Sequence, residues 1–354
     1  MIPAHHADAL QHLSDTSARI GADPQLIQAA GGNTSIKCDD TLWVKASGLW
    51  LRDALQRPLF APVDLAMVRQ RVAAGEADAV GPALRSDWAP AGLRPSIETT
   101  LHALMPQPVV LHVHAVDAIA WAVLPDAALG LPAALAAFRW AWVGYVRPGL
   151  PLTQAVAQVL AGREVDVLLM ANHGLVVGGA SVAEAEARLA AVVAALRRPV
   201  RAAPLPDTAA LAALASAASA PGAGWRLPAM ARAHAVATDA LNLARAQAGV
   251  LYPDHVVFLG AQLCTAPATA DAPAPLAWLQ ATRARLDAPP CVALPGRGLL
   301  VRDDLGEAAE ELLACWADVL QRLPAAPEPV YLPAAEAQAL ADWEAEKFRL
   351  QQRR

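Results

Sequence analysis

Val109-Val110-Leu111-His112-Val113-His114 decides how this chain is read. A β-branched, apolar run that opens after Pro108 reads as a strand. Side chains on a strand alternate, so Val110, His112 and His114 share one face while Val109, Leu111 and Val113 share the other. Two imidazoles at i and i+2 lie roughly 6–7 Å apart at Cα, a span that can chelate one metal ion. A lone histidine in such a strand reads as a satisfied core residue. Two on one apolar face are costly to bury without a common partner.

Working outward, a third imidazole lies downstream. Asp166-Val-Leu-Leu-Met-Ala-Asn172-His173-Gly174-Leu-Val-Val reads as strand, tight turn, strand. His173 then ends the turn, and Gly174 is expected to supply a positive φ. Alone, this segment reads equally as a surface hairpin with an incidental histidine. Upstream, Arg94-Pro95-Ser96-Ile97-Glu98-Thr99-Thr100-Leu101-His102-Ala103-Leu104 predicts a helix that runs into the HxH strand. Ser96 is the expected N-cap, Leu101, Leu104 and Met105 the buried stripe, and Glu98 a first-turn acid favoured by the helix dipole. His102, four residues after Glu98, reads as structural. Further upstream, Ala30-Gly31-Gly32-Asn33-Thr34-Ser35 precedes two short strands around Asp39-Asp40 and then Lys45-Ala46-Ser47-Gly48. Glycine turns with hydroxyl and amide donors suit an anion, although two ordinary hairpin turns would look the same. No P-loop lysine and no GxGxxG fingerprint is present.

The 354 residues carry 28 basic and 33 acidic side chains, a formal charge of −5. That balance, with no long basic tract, argues against a nucleic-acid groove. With 55% hydrophobic residues the chain is expected to fold rather than stay disordered. Histidines, aspartates and prolines break the apolar Val109–Val146 region well short of the ~18 residues of a membrane span. No secretory leader is expected from Met1-Ile-Pro-Ala-His-His, so a cytoplasmic location follows. Cys38, Cys264, Cys291 and Cys315 share no ligand spacing and read as reduced thiols.

Three regions are expected: residues 8–200 with the motifs above, an Ala/Pro-rich linker at 201–224 enclosing a short helix over 208–218, and an α/β region at 225–354 ending in a polar helix from Pro333 to Gln351. A partial echo links two segments. Gly174-Leu-Val-Val with Ser181…Glu184 resembles Gly298-Leu-Leu-Val with Asp304…Glu307, each reading as strand, capping box and helix. Duplication and chance recurrence both account for it; Arg297 occupies the position of His173.

Taken together, Gly32-Asn33-Thr34-Ser35, Trp43-Val-Lys45-Ala-Ser47-Gly48, Ser96-Ile97-Glu98, His112-Val-His114 and Asn172-His173-Gly174 resemble, in order and spacing, the class II aldolase/adducin family. Within it the chain is most similar to the aldolase portion of bifunctional rhamnulose-1-phosphate aldolase/alcohol dehydrogenase proteins. That closer likeness adds Leu251-Tyr252-Pro253-Asp254-His255 through Gly260 and Trp343-Glu-Ala-Glu-Lys-Phe-Arg349. The resemblance implies α/β/α layers around a largely antiparallel central sheet, with an extended C-terminal α/β region. It implies Zn2+, or another divalent cation, on His112, His114 and His173, with Glu98 as the acid/base. Asn33, Ser47, Gly48 and Ser96 fall where the family holds a substrate phosphate, while Ile97 stands where some relatives have a second serine.

The implied reaction is retro-aldol cleavage of a ketose 1-phosphate, favoured L-rhamnulose 1-phosphate, to dihydroxyacetone phosphate and an aldehyde. Tyr252, Asp254 and His255 are candidates for the base at the C4 hydroxyl; a strand start with a proline turn explains the same segment. Implied partners are a small phosphorylated sugar, further copies of the chain, and, with no dehydrogenase half expected after Arg354, a separate aldehyde dehydrogenase or reductase. Rival readings are an epimerase, dehydratase or decarboxylase on a related sugar phosphate or sugar acid, and a non-catalytic adducin-like module.

Overall fold

Val109–Val113 is a strand, and it lies fourth of seven in the main sheet. The computed structural model describes residues 3–90, 92–220, 223–267 and 275–342. They divide into two units, one formed by residues through Ala122 with Asp126–Arg197, the other by Val123–Pro125 with the residues from Arg198 onward.

The first unit holds β1 (Asn33–Cys38), β2 (Thr41–Lys45), β3 (Phe60–Asp64), β4 (Val109–Val113), β5 (Trp140–Val143), β6 (Val167–Met170) and β7 (Gly174–Gly179), in sheet order β3-β2-β1-β4-β7-β6-β5. Every pairing is antiparallel except β5 with β6. Its helices are α1 (Ala4–Gly21), α2 (Leu65–Ala73), α3 (Thr99–Leu104), α4 (Val116–Ala122), α5 (Ala127–Ala134), α6 (Leu150–Leu160) and α7 (Val182–Ala195). α1 and α7 pack together against β1, β4 and β7, whereas α2, α3 and α6 form a second pack against β2 and β5. Layers of helix on a largely antiparallel sheet are therefore what the chain builds.

β4 is buried along its whole length, consistent with an apolar run covered on both faces. Val110 joins Leu101 and Met105 of α3 and Val156 of α6 in one core cluster. His112, two residues on, points to the same side as Val110. At the start of α7 the expected cap forms: Ser181 Oγ accepts from the Glu184 N–H, while the Glu184 carboxylate reaches one residue past the capping-box position to accept from the Ala180 N–H.

Three local expectations are corrected. The helix expected from Ser96 begins at Thr99, with Glu98 at its N-cap. Pro95 is held extended by a bridge to Ala46, so the chain turns helical only after leaving that bridge. In the β6–β7 turn the left-handed residue is Asn172 (φ 50°), not Gly174. Gly174 is glycine for space: a Cβ there would stand 2.7 Å from the Val113 carbonyl oxygen and 3.1 Å from the His114 ring. The Tyr252-Pro253 segment opens a helix rather than a strand, because Pro253 at the first helical position has its φ preset.

The second unit contains α8 (Thr208–Ala218), β8 (Trp225–Arg226), α9 (Ala235–Thr238), α10 (Ala240–Ala248), α11 (Pro253–Leu259), β9 (Cys264–Thr265), α12 (Pro275–Arg283), β10 (Cys291–Leu294), β11 (Gly298–Arg302), α13 (Glu307–Arg322) and α14 (Ala334–Asp342). Its sheet order is β8-β11-β10-β9. Residues 201–224, expected as a linker, include α8, whose Leu211 and Ala215 are buried with Trp225, Leu279, Val292 and Leu300. The second capping box does not form. Gly306 is the N-cap of α13, and Asp304 pairs with Arg302 instead. The polar helix is described from Ala334 to Asp342; its remainder and the Trp343–Arg349 motif lie outside the described residues. Among the described residues no helix is long and apolar enough to cross a membrane. All four cysteines are free thiols.

Candidate metal centre

Three buried imidazoles meet at the end of β4. His112 lies on the strand, His114 just past it, and His173 at the last position of the β6–β7 turn. Their ring centroids form a near-equilateral triangle of 4.9, 5.1 and 5.3 Å. Their ligand nitrogens all lie within 4.8 Å of one another. Pairing of β4 with β7 does this, placing Val113 opposite Leu175 and so bringing the hairpin turn against the strand end. Only glycine at 174 permits that approach.

The nitrogen chemistry suits a cation. His112 Nδ1 donates to the Leu175 carbonyl (3.0 Å), which turns Nε2 toward the cluster. Such a backbone partner commonly fixes the tautomer of a metal-binding histidine. His114 Nε2 is 3.1 Å from His112 Nε2.

Glu98 completes the group. Its Oε2 is 3.4 Å from His112 Nε2 and its Oε1 3.3 Å from His173 Nε2. Oε1 is buried and accepts no hydrogen bond. Burial pushes the Glu98 carboxyl up, but the imidazoles of His112, His173 and His114 and a hydrogen bond from Asn33 outweigh it and hold it at about 2. The carboxylate is thus ionised and faces the Nε2 atoms of His112 and His173, with Oε1 accepting no hydrogen bond. Those four groups fit a divalent cation: three nitrogen ligands with room for a carboxylate or substrate oxygen. Glu98 is buried, not the exposed helix-start acid that the sequence allows.

The family model described as Class II Aldolase and Adducin N-terminal domain matches residues 11–198. This chain belongs to the class II aldolase and adducin family. Among curated proteins, an uncharacterized oxidoreductase of Bacillus subtilis, YuxG, is 30% identical over 196 residues, covering 48% of this chain and 26% of that protein. The chain thus spans about a quarter of the length of the curated relative it matches. Among solved structures, the N-terminal class II aldolase domain of a conserved Thermoplasma acidophilum protein is 24% identical, with a TM-score of 0.45, covering 53% of this chain and 91% of that one. A sugar-phosphate aldolase from Thermotoga maritima is 16% identical with a TM-score of 0.44, covering 55% and 94%.

The segments expected to hold an anion also come together in this class II aldolase-type unit. The Ala46–Pro95 bridge sets the Ser47-Gly48 turn beside Ser96, and the Ser47 N–H donates to the Arg94 carbonyl (2.8 Å). Gly48 takes φ 78°, open only to glycine at low strain. Ser96 Oγ accepts from the Glu98 N–H (3.2 Å) and from the Asn33 amide (3.3 Å), leaving its own proton to donate. Sequence reasoning quoted Lys45 within its motif but gave it no role. Buried in β2, its ammonium donates to the carbonyls of Ala30 (2.8 Å) and Gly32 (2.9 Å) and pins the glycine turn. The available signal was a lysine alternating with Trp43 on a strand buried on both faces.

Tyr252, Asp254 and His255 fall in the second unit, all buried. Burial takes His255 down to about 3 and raises Tyr252 well above the usual phenol value. A second histidine group, His5 and His6 with Asp39, also gathers three ligand-type atoms. Trp43 Nε1–H donates to His6 Nδ1 (3.1 Å), so Nε2 of the neutral ring carries the hydrogen and gives it to Asp39 (3.3 Å). An indole nitrogen only donates, so this group is a hydrogen-bonded bracket at the β1–β2 turn.

Proposed function

We propose that the chain is a zinc-dependent aldehyde-lyase that cleaves a ketose 1-phosphate, favoured L-rhamnulose 1-phosphate, to dihydroxyacetone phosphate and L-lactaldehyde. The observation that carries this reading is the convergence of three buried imidazoles with an ionised carboxylate whose Oε1 accepts no hydrogen bond. His112, His114 and His173 would hold the cation. When bound, the ion supplies positive charge against the sugar oxygens where negative charge develops during bond cleavage.

The remaining chemistry belongs to the chain. As a base takes the C4 hydroxyl proton, the C3–C4 bond breaks, the aldehyde departs, and the bond's electron pair stays with the three-carbon fragment. Glu98 takes up a proton from solvent, delivers it to C3 and returns to the carboxylate seen here, while the base releases the C4 hydroxyl's proton to solvent. In the synthetic direction the same carboxylate takes the C3 proton from dihydroxyacetone phosphate, so its ionised resting state suits a base. Ser96 and the Ser47-Gly48 turn, set side by side by the Ala46–Pro95 bridge, supply donors to the phosphate. Burial of the centre strengthens each of these interactions.

The test is a screen of ketose 1-phosphates with zinc added, reading dihydroxyacetone phosphate through a coupled dehydrogenase. Zinc at about one per chain and formation of that product support the reading. Glu98→Gln keeps volume and a carbonyl oxygen but cannot shuttle the proton, so kcat should fall ~10²–10⁴-fold. Deuterium exchange at C3 of dihydroxyacetone phosphate should be lost with it. An epimer, a dehydrated product or carbon dioxide in place of dihydroxyacetone phosphate would move the assignment to another zinc-dependent sugar reaction. Absence of metal after gentle purification would favour a non-catalytic module. Oligomerisation and a dehydrogenase or reductase acting on the aldehyde complete the proposal.

A further inference from the structure

Glu98 accepts a hydrogen bond on one oxygen only, and what stands behind that bond is a directed chain. Asn33 Nδ2 donates to Glu98 Oε2 at 2.7 Å. A carboxylate accepts and never donates in its ionised form, so the amide nitrogen of Asn33 has to face Glu98. That orientation turns Asn33 Oδ1 toward His102 Nε2, with which it makes a short contact. An amide oxygen only accepts, so Nε2 of His102 carries the hydrogen. The ring is wholly buried, and burial holds its pKa near 3, so it is neutral and its Nδ1 has a lone pair. Ser35 Oγ, 2.7 Å from Nδ1, must then be the donor. The direction of every proton in the series is thus dictated by the carboxylate at its end.

The elements explain why the four meet. Asn33 and Ser35 are two residues apart on β1, hence on one face. Glu98 and His102 are four apart, and the His102 N–H closes the first turn of α3 on the Glu98 carbonyl (3.2 Å). A strand pair and a helix pair interlock through side chains that are all buried. Both amide hydrogens of Asn33 are committed, one to Glu98 and the other to Ser96 Oγ.

We infer that Ser35, His102 and Asn33 form a positioning relay that sets the rotamer of the Glu98 carboxylate. The inference rests on the acid–base role proposed for Glu98, but its geometry can be tested without it. Loss of a residue that orients a directly acting group typically lowers activity ~10–100-fold.

Two measurements decide the matter. Selective ¹⁵N-histidine labelling of the metal-free protein, with nine histidines to resolve and His102→Gln to assign the signal, reads the tautomer of His102. The relay requires a protonated Nε2 and a bare Nδ1 at neutral pH; the opposite tautomer overturns it whatever the enzyme does. On a cleaved ketose 1-phosphate, Asn33→Ala and His102→Phe should each lower kcat ~10–100-fold, and His102→Phe should leave KM within about twofold. His102→Gln, which can keep a donor near the Nε2 position, should recover most of that loss. If Asn33→Ala raises KM for phosphorylated substrates while leaving kcat intact, Asn33 is a phosphate contact only, and the inference fails. If the parent cleaves no ketose 1-phosphate, the lyase reading fails, and the tautomer alone decides the relay. Thermal midpoints taken on each variant separate lost folding from lost positioning.

Discussion

The β6–β7 and β10–β11 hairpins share a backbone and differ in chemistry. Each has a three-residue turn, set by the pairs Met170–Gly174 and Leu294–Gly298. In each the middle residue is left-handed, Asn172 at φ 50° and Gly296 at φ 71°. The last turn residue donates its N–H back to the end of the first strand, His173 to Met170 and Arg297 to Leu294. A glycine then opens the second strand against an imidazole: a Cβ on Gly174 would crowd His114 and His112, and one on Gly298 would meet His234. What separates them is the neighbouring strand. β7 pairs with β4, which brings two more imidazoles, while β11 pairs with β8, Trp225–Arg226. There His234 Nδ1 accepts the Leu299 N–H. One turn geometry thus serves a metal centre or a structural corner, according to what lies beside it.

The sharpest way to break this contrast is His173→Ala. Two imidazoles remain on β4, and zinc affinity should fall by well over the ~100-fold that bounds losses of supporting residues. Competition with a chromophoric chelator measures it, and unchanged affinity would show that the turn histidine is no ligand.

Gly174→Ala tests the close approach instead. With a Cβ 2.7 Å from a backbone oxygen, the β4–β7 register must shift. Overpacking of this kind costs about 1–3 kcal/mol, read by denaturant titration, and zinc binding should weaken with it.

The shared turn itself is probed by Gly296→Ala. No atom lies within 4 Å of the added Cβ, so left-handed strain acts alone and should cost about 1–2 kcal/mol. Asn172→Ala also removes a buried polar side chain and should cost at least as much. Unequal signs for the two would mean that the turns only look alike.

Arg297→His is the smallest expected change. It places an imidazole at the position of His173 on an exposed turn. Stability should stay within about 0.5 kcal/mol and zinc binding should not change, because the β4 pair is missing.

Much of the first unit was legible. A strand with two histidines on one face, a helix leading into it and a histidine in a tight turn all have short-range signatures, and each element is present in that order, although α3 opens later than Ser96 predicts. Ser181 and Glu184 met because a capping box spans only three residues. Asp304 did not cap α13, because Arg302 two residues away offers it an ion pair that competes with the helix end. The start of α3 was misplaced for a different reason: a bridge from Ala46 holds Pro95 extended, and nothing within the helix segment reports a bridge from 49 residues upstream.

The sequence by itself determined which residue types were available and which faces of their own elements they occupy, because the alternation of a strand and the pitch of a helix are local. Only the tertiary structure decided that Val113 stands opposite Leu175, so that His173 closes on His112 and His114. It likewise decided that Glu98 is buried and ionised rather than exposed, and that Asn33 points at it. Both outcomes depend on the register between strands and on the desolvation that follows from packing, and neither is a property of any short stretch of chain.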